Sequence, residues 1–168
     1  LFISGSAPLL EETFTQFKEK TGKHILERYG MTETNIISSN PVDGIRKPST
    51  VGLPLKDQFV RIVNDSNDLL EAGEVGNIQV KGENVFTGYW NLPDKTKEDF
   101  SSDNFFNTGD KGYFDEEGYL VIVGRSKDMI ITGGLNVYPK EVESYIDKIN
   151  GVSESAVVGL KDDDFGER

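Results

Sequence analysis

The opening of the chain alternates apolar runs with one amphipathic stretch. Residues 1–4 form an apolar run that predicts the end of a buried strand. Apolar side chains then recur at helical spacing, at Leu9, Leu10, Phe14 and Phe17. Gly22 stands where such a helix would end, and residues 25–29 form a second apolar run that predicts another strand. Strand, helix and strand in this order indicate a parallel crossover.

The middle of the chain has a different pattern. Residues 38–56 contain three prolines and little periodicity, which predicts a loop. From Phe59 onwards, short apolar runs such as "FVRIVN", "GNIQVKG" and "GYLVIVG" alternate with turn residues. This pattern predicts a small antiparallel barrel or sheet.

The chain after Arg125 predicts one helix and one more strand. Pro139 suits the first turn of a helix, and Asn150-Gly151 can end it. Its apolar face is predicted to contain Val142, Tyr145, Ile146 and Ile149. The run "ESAVVGL" predicts the strand. We therefore expect an α/β segment at 1–50, a β-barrel-like segment at 51–125 and part of a small α+β domain at 126–168.

Composition narrows the class of protein. The 168 residues contain 18 basic and 29 acidic side chains, and the net charge of -11 argues against nucleic acid or an anionic membrane as a partner. No apolar run approaches the roughly 18 to 20 residues that a transmembrane helix needs. The absence of cysteine excludes disulfides, thiol nucleophiles and thiolate metal sites. We expect a soluble, cytoplasmic protein, with an organelle left open.

The first candidate for chemistry is the string "RYGMTET", which follows the second predicted strand. Ligand groups of α/β proteins lie at the carboxyl ends of strands. Glu33 can ligate a hard cation such as Mg2+, and the Thr32 hydroxyl can donate to a phosphate oxygen. A solvated turn that caps a helix explains the same residues equally well.

Two further candidates lie in the second half of the chain. Asp110 follows a glycine, and its carboxylate can accept hydrogen bonds from two neighbouring hydroxyls, as in a ribose. The guanidinium of Arg125 supplies several hydrogen-bond donors in a fixed geometry. An Asp-Gly turn and a surface ion pair are the simpler interpretation of these two residues in isolation. Gly133 and Gly134 allow close approach to the backbone or free movement of a loop.

Taken in order, six strings resemble the adenylate-forming superfamily of acyl-CoA synthetases, carrier-loading adenylation domains and luciferases. They are "SGSAPL", "RYGMTET", "VGLPL", "GEVGNIQVKGENVFTGYW", "NTGDKGYF" and "GRSKDMIITGGLNVYPKEVE". They are distributed between residues 4 and 143, so the resemblance extends over nearly the whole chain. The resemblance implies the adenylate-forming enzyme fold, truncated at both ends. The chain opens "LFISGSAPLL" without an initiator methionine, and we expect it to be a fragment.

The resemblance also implies roles for single residues. The Tyr29 ring would stack on adenine, with Gly30 and Met31 of the same string in the nucleotide site and Gly5, Ser6 and Ala7 on the opposite side of the base. Thr32 would contact phosphate and Glu33 would ligate Mg2+. Asp110 would hold the ribose hydroxyls, with Arg125 beside it. Lys127 falls at the hinge position, and Gly133 and Gly134 match the loop that lines the pantetheine channel.

These roles imply two half-reactions that use ATP, Mg2+ and CoA. A carboxylate first attacks the α-phosphate of ATP, and the CoA thiol then attacks the acyl-adenylate after the small domain rotates. In the family, the phosphate loop lies upstream of "LFISGSAPLL" and the adenylation lysine lies downstream of "DDDFGER". We therefore expect the 168 residues alone to be inactive and to bind ATP weakly or not at all.

The strings around residues 28–55 look most like malonyl-CoA synthetases. A malonate site needs a cation for the free carboxylate, and we expect an arginine outside this chain, with Arg46 interpreted as a loop charge. A fatty acyl-CoA ligase for medium or long chains is the alternative enzyme. A catalytically inactive nucleotide-binding remnant is the alternative of another class.

Overall fold

The computed structural model describes residues 1–7 and 9–168, so Pro8 of the predicted "GSAP" turn lies outside the described residues. The first half contains β1 (Phe2–Ser4), α1 (Glu11–Thr21), β2 (Ile25–Met31), β3 (Asn35–Ser39), β4 (Leu53–Pro54), β5 (Phe59–Val63) and β6 (Gly76–Lys81). The second half contains α2 (Pro93–Asp99), β7 (Phe106–Phe114), β8 (Leu120–Arg125), a 3-10 turn (Ser126–Asp128), β9 (Ile130–Thr132), β10 (Leu135–Val137), α3 (Pro139–Ile146), β11 (Lys161–Asp162) and β12 (Gly166–Glu167).

The first sheet has the order β1-β2-β3-β4, and its β1–α1–β2 unit is the predicted parallel crossover. The helix ends as its sequence predicts, because Gly22 adopts φ 65° and its N–H donates to the Lys18 carbonyl oxygen at 2.8 Å. The strand β2 then pairs antiparallel with β3. The carboxyl end of β2 thereby becomes one arm of a hairpin.

The prediction that residues 1–4 are buried is wrong. Leu1, Phe2 and Ile3 are exposed by 73%, 49% and 54%. Their strand lies at the edge of the sheet, where it pairs with β2, and the Phe2 ring packs edge-on against Phe17 of α1 at 4.9 Å. An edge strand with one covered face leaves apolar side chains in solvent.

The second sheet is an antiparallel meander in the order β5-β6-β7-β8. The predicted barrel is therefore an open sheet. Within the described residues, β5 and β8 are its two edges and do not pair with each other. Its apolar face is covered instead by Ile37 of β3, which joins a common core with Ile62, Ile78, Val80 and Leu120. The predicted loop at 38–56 also contains the end of β3 and the short β4.

The third sheet has the order β10-β9-β12-β11 and lies after the 3-10 turn. As predicted, α3 begins at Pro139, but it ends at Ile146, before Asn150-Gly151. Val142, Tyr145 and Ile149 of the predicted apolar face are exposed. A division into domains at residues 125 and 126 stays a prediction.

The strand predicted for "ESAVVGL" is wrong. The backbone N–H of Val157 donates to the Glu143 carboxylate at 3.0 Å, and the Ser155 hydroxyl donates to the Asp147 carboxylate at 2.6 Å. These side-chain contacts attach the segment to the α3 region, and the segment does not pair in a sheet. Backbone pairing resumes only at its end, where Leu160 and Arg168 exchange two hydrogen bonds of 2.9 Å.

Candidate active site

The string "YGMTET" forms the hairpin turn between β2 and β3. The register shifts between Tyr29 and Gly30, and a Cβ at Gly30 would overlap the Asn35 carbonyl oxygen and lie 2.8 Å from Ile36 Cα. Position 30 therefore requires glycine, because the second arm of the hairpin occupies the space of a side chain. Met31 is the last residue of β2.

The three polar residues that follow differ in burial. Thr32 is exposed, Glu33 is half-buried and Thr34 is fully buried. Since β3 begins at Asn35, the interpretation of this turn as a helix cap is wrong. The turn instead presents the Thr32 hydroxyl and the Glu33 carboxylate at the carboxyl end of β2.

Asp110 connects the first sheet to the second. It lies in β7, opposite Arg125 of β8, and its Oδ1 lies 2.9 Å from Arg125 Nε. Its Oδ2 accepts a hydrogen bond from the hydroxyl of Tyr29 in β2. The interpretation as an isolated Asp-Gly turn with a surface ion pair is therefore wrong, because the Asp110 carboxylate is 6% exposed and has a partner from another sheet.

The local backbone explains how Asp110 reaches this place. Gly109 adopts φ 76°, and the Asp110 N–H donates to the Thr108 hydroxyl at 3.1 Å. That hydroxyl donates in turn to the Ile78 carbonyl oxygen of β6 at 2.9 Å. These two bonds fix the backbone of Asp110 to β6, and the carboxylate is then within reach of Tyr29 and Arg125.

Burial dominates the electrostatics of this cluster, which we call the Tyr29–Asp110–Arg125 cluster. Burial raises the pKa of Asp110, while the Tyr29 hydroxyl and the Arg125 charge oppose that rise. Burial and the adjacent Asp110 carboxylate raise the pKa of Tyr29 far above its usual value. The phenol therefore keeps its proton and remains a donor to Asp110.

The residues predicted on the opposite side of the base lie beside β2. Gly5 follows β1, and a Cβ there would lie 3.3 Å from both Arg28 Cγ and the Arg28 carbonyl oxygen. Ser6 adopts φ 73°, and both Ser6 and Ala7 are exposed. Because β1 and β2 are parallel, residues 5–7 leave the sheet at the same edge as Tyr29.

The predicted hinge and glycine loop lie further along the chain. Lys127 is exposed in the 3-10 turn that directly follows Arg125. Gly133 and Gly134 adopt φ 56° and 84° in a two-residue turn that joins β9 to β10. The Gly133 N–H donates to the Phe165 carbonyl oxygen at 2.9 Å. Among the described residues, no hydrogen bond or ion pair joins these glycines to the Tyr29–Asp110–Arg125 cluster.

A segment without an assigned role contacts the turn at Thr32–Thr34. The Phe86 N–H donates to the Glu33 carbonyl oxygen at 2.8 Å, and the Asn84 amide donates to the Thr34 carbonyl oxygen at 2.6 Å. The Tyr89 hydroxyl lies 3.3 Å from Glu33 Oε1. The string "GENVFTGYW" contributes to the family resemblance, but no periodicity or motif indicates that it meets Glu33 more than 50 positions earlier.

The described residues contain no group of three or more histidine, cysteine, aspartate or glutamate side chains that could hold a metal ion. They also contain no helix that combines the length and the apolar character of a membrane span.

Comparisons with known proteins agree with the motifs. The AMP-binding enzyme family matches residues 1–90. The chain is 45% identical over 168 residues to a malonate–CoA ligase of Arabidopsis thaliana, with 99% of this chain and 27% of the relative covered. It is 39% identical over 168 residues to a long-chain-fatty-acid–CoA ligase of Yersinia pestis, covering 99% of this chain and 30% of that protein.

The fold matches a solved structure of ATP-bound MatB from Rhodopseudomonas palustris. The TM-score is 0.97 at 56% sequence identity, and the match covers 99% of this chain and 33% of that one. The chain thus spans less than a third of the length of the two curated relatives. The family match over more than half of the chain confirms the resemblance that the six strings predict, and the chain belongs to the AMP-binding enzyme family.

Proposed function

We propose that these residues form part of an enzyme that uses ATP to activate a carboxylic acid as an acyl-adenylate and then transfers the acyl group to CoA. The observation that carries this proposal is the buried Asp110 carboxylate, held between the Tyr29 hydroxyl and the Arg125 guanidinium. Family membership and the similarity to CoA ligases support it.

Asp110 is suited to hold a ribose. An ionised carboxylate has about four lone-pair sites, and Tyr29 and Arg125 occupy one on each oxygen. The remaining sites can accept hydrogen bonds from two neighbouring ribose hydroxyls. Arg125 is half exposed, so its side chain can move as the sugar enters. The Tyr29 ring and residues 5–7 would then lie against the base.

The turn after β2 is suited to the phosphates. Thr32 has an exposed hydroxyl that can donate to a phosphate oxygen. Glu33 fits a Mg2+ site, because Mg2+ in nucleotide enzymes is held by one or two carboxylates together with phosphate oxygens and water. When bound, Mg2+ supplies charge neutralisation for the α-phosphate and the leaving pyrophosphate.

The two half-reactions exchange defined bonds. A carboxylate oxygen of the acid bonds to the α-phosphorus, and the bond from that phosphorus to the oxygen bridging the α- and β-phosphates breaks as pyrophosphate leaves. The CoA sulfur then bonds to the acyl carbon, AMP leaves and the thiol proton passes to solvent. We propose that rotation at Lys127 brings Gly133 and Gly134 to the pantetheine for the second step.

We propose malonate as the acid. The 45% identity to a malonate–CoA ligase and the 56% identity to MatB support it, while the 39% identity to a long-chain-fatty-acid–CoA ligase makes a fatty acid the second candidate. Arg46 is not a candidate to bind the free carboxylate of malonate. Its guanidinium donates to the carbonyl oxygens of His24, Pro41 and Val42 at 2.6, 3.1 and 2.8 Å.

Pyrophosphate release by the full-length protein that carries these residues tests the substrate. Malonate, methylmalonate, acetate and octanoate are each supplied with ATP, Mg2+ and CoA. We expect the fastest release with malonate. Fastest release with octanoate would move the function to fatty-acid activation, and ATP binding without release for any acid would favour an inactive remnant.

Substitution of Glu33 tests the site. Glu33→Ala should slow acyl-adenylate formation by at least about 100-fold, because Mg2+ contributes several kcal/mol of charge stabilisation. Glu116→Ala, in an exposed turn, is the matched control and should retain the wild-type rate. A near-wild-type rate for Glu33→Ala would contradict its assignment as the Mg2+ ligand.

A further inference from the structure

The turn that carries Thr32 and Glu33 is held from outside its own hairpin. We call residues 82–89, which follow β6, the clamp segment. Two donors of the clamp segment bind carbonyl oxygens of the turn, the Phe86 N–H at 2.8 Å and the Asn84 amide at 2.6 Å. In the opposite direction, the side-chain amide of Asn35 donates to the Asn84 carbonyl oxygen at 3.4 Å. The backbone of the turn is therefore held by the clamp segment.

Tyr89, at the end of the clamp segment, contacts the carboxylate of Glu33 itself. Its hydroxyl donates to Oε1 at 3.3 Å. The Tyr89 backbone N–H donates to the Thr96 hydroxyl of α2 at 2.9 Å, and its ring packs edge-on against Phe86 at 4.8 Å. Close packing of Gly88 on Thr96, where a Cβ would lie 2.7 Å from Thr96 Cγ2, allows this approach. Two elements thus fix the position of the phenol.

The phenol is a stable donor. An ordinary phenol is protonated near neutral pH, so the Tyr89 hydroxyl can donate to the Glu33 carboxylate.

We propose that Tyr89 is a positioning residue for Glu33. A hydrogen bond to Oε1 fixes the plane of the carboxylate and directs Oε2 towards a divalent cation. Outer partners of metal ligands act in this way, by orienting a ligand before the metal arrives. The inference rests on the proposed function, in which Glu33 holds Mg2+, and it assigns to the clamp segment the task of preparing that ligand.

The test compares Tyr89→Phe with Tyr119→Phe in the full-length protein. Both variants lose one phenolic hydroxyl that donates a hydrogen bond, since Tyr119 donates to the Ile45 carbonyl oxygen at 2.9 Å, away from Glu33. Mn2+ replaces Mg2+ as a spectroscopic probe, and its binding is titrated by electron paramagnetic resonance in the presence of a non-hydrolysable ATP analogue. The Mg2+ dependence of pyrophosphate release is measured in parallel.

We expect Tyr89→Phe to weaken Mn2+ binding about 10-fold or more and to raise the Mg2+ concentration for half-maximal release, as loss of an outer partner does. Metal-free binding of the ATP analogue should not change. Tyr119→Phe should match the wild type in every measurement. Circular dichroism spectra and thermal midpoints of both variants show whether the fold is retained.

The Tyr89→Phe result decides the inference, and Glu33→Ala shows whether the proposed function fails with it. Unchanged Mn2+ binding and Mg2+ dependence in Tyr89→Phe would reduce Tyr89 to a packing residue, even if its turnover fell. If Glu33→Ala also left Mn2+ binding unchanged, the assignment of Glu33 as metal ligand would fail as well. A loss of Mn2+ binding in Glu33→Ala without any loss in Tyr89→Phe would reject this inference alone and leave the proposed function intact.

Discussion

Glu27 is a buried carboxylate two positions before Tyr29. It is 5% exposed, and its Oε2 accepts a hydrogen bond from the Leu9 N–H at 3.4 Å. Within the part of the chain that the structure describes, its Oε1 has no hydrogen-bond partner. Burial raises the pKa of Glu27 from 4.5 to about 7, and the contact with Leu9 opposes that rise.

This pKa has a consequence for stability. Because folding raises the pKa of Glu27, the folded chain binds the proton more tightly than the unfolded chain between pH 4.5 and about 7. The free energy of unfolding therefore falls as pH rises through this window. At about 1.4 kcal/mol for each pH unit, the contribution of protonated Glu27 is about 3 kcal/mol. It is fully present below pH 4.5 and lost above about pH 7.

Glu27→Gln removes the ionisation and keeps the shape of the side chain. We expect the variant and the wild type to have similar free energies of unfolding near pH 5. At pH 8 the variant should be more stable by up to about 3 kcal/mol. Urea unfolding of the 168-residue chain at intervals between pH 5 and 8, followed by far-ultraviolet circular dichroism, measures this difference.

A matched control separates Glu27 from the other acidic residues. Glu116→Gln changes an exposed glutamate, so its stability should follow the wild type across the same pH range. If the difference between Glu27→Gln and the wild type stayed constant with pH, the carboxylate would not titrate in this window. The argument from burial would then be refuted.

Two further substitutions test the turn and the hinge. Gly30→Ala should lower the free energy of unfolding by about 1 to 3 kcal/mol, because the new methyl group overlaps the Asn35 carbonyl oxygen; a loss below about 0.5 kcal/mol in urea unfolding would show that the hairpin adapts. Lys127→Pro in the full-length protein should retain pyrophosphate release and lose acyl-CoA formation, because proline fixes a backbone angle that the hinge must change. Equal losses in single-turnover assays of both steps would argue against a hinge at Lys127.

The sequence alone determined the features that depend on neighbours along the chain. The spacing of Phe14 and Phe17 and the position of Gly22 predict α1 and its end, because helical periodicity and a left-handed glycine are local properties. The order of Gly30, Thr32 and Glu33 likewise predicts a polar turn after β2. The family resemblance was also readable, because its six strings are contiguous stretches.

The tertiary structure decided which distant residues meet. Tyr29 and Asp110 are 81 positions apart, and their hydrogen bond depends on how two sheets pack over a common core. Tyr89 meets Glu33 across 56 positions for the same reason. Neither contact has a periodic signal, since the order and register of strands are set by the whole sheet.

The tertiary structure also decided which side chains are buried. The apolar run at 1–3 has the pattern of a buried strand but lies at a sheet edge, while the ionisable side chain of Glu27, in the next strand, is buried. "ESAVVGL" has the composition of a strand, yet Glu143 and Asp147 of the α3 region bind its polar groups. The composition of a segment limits the secondary structures that it can adopt. Its neighbours in the fold decide between them, because they supply the hydrogen-bond partners and exclude the solvent.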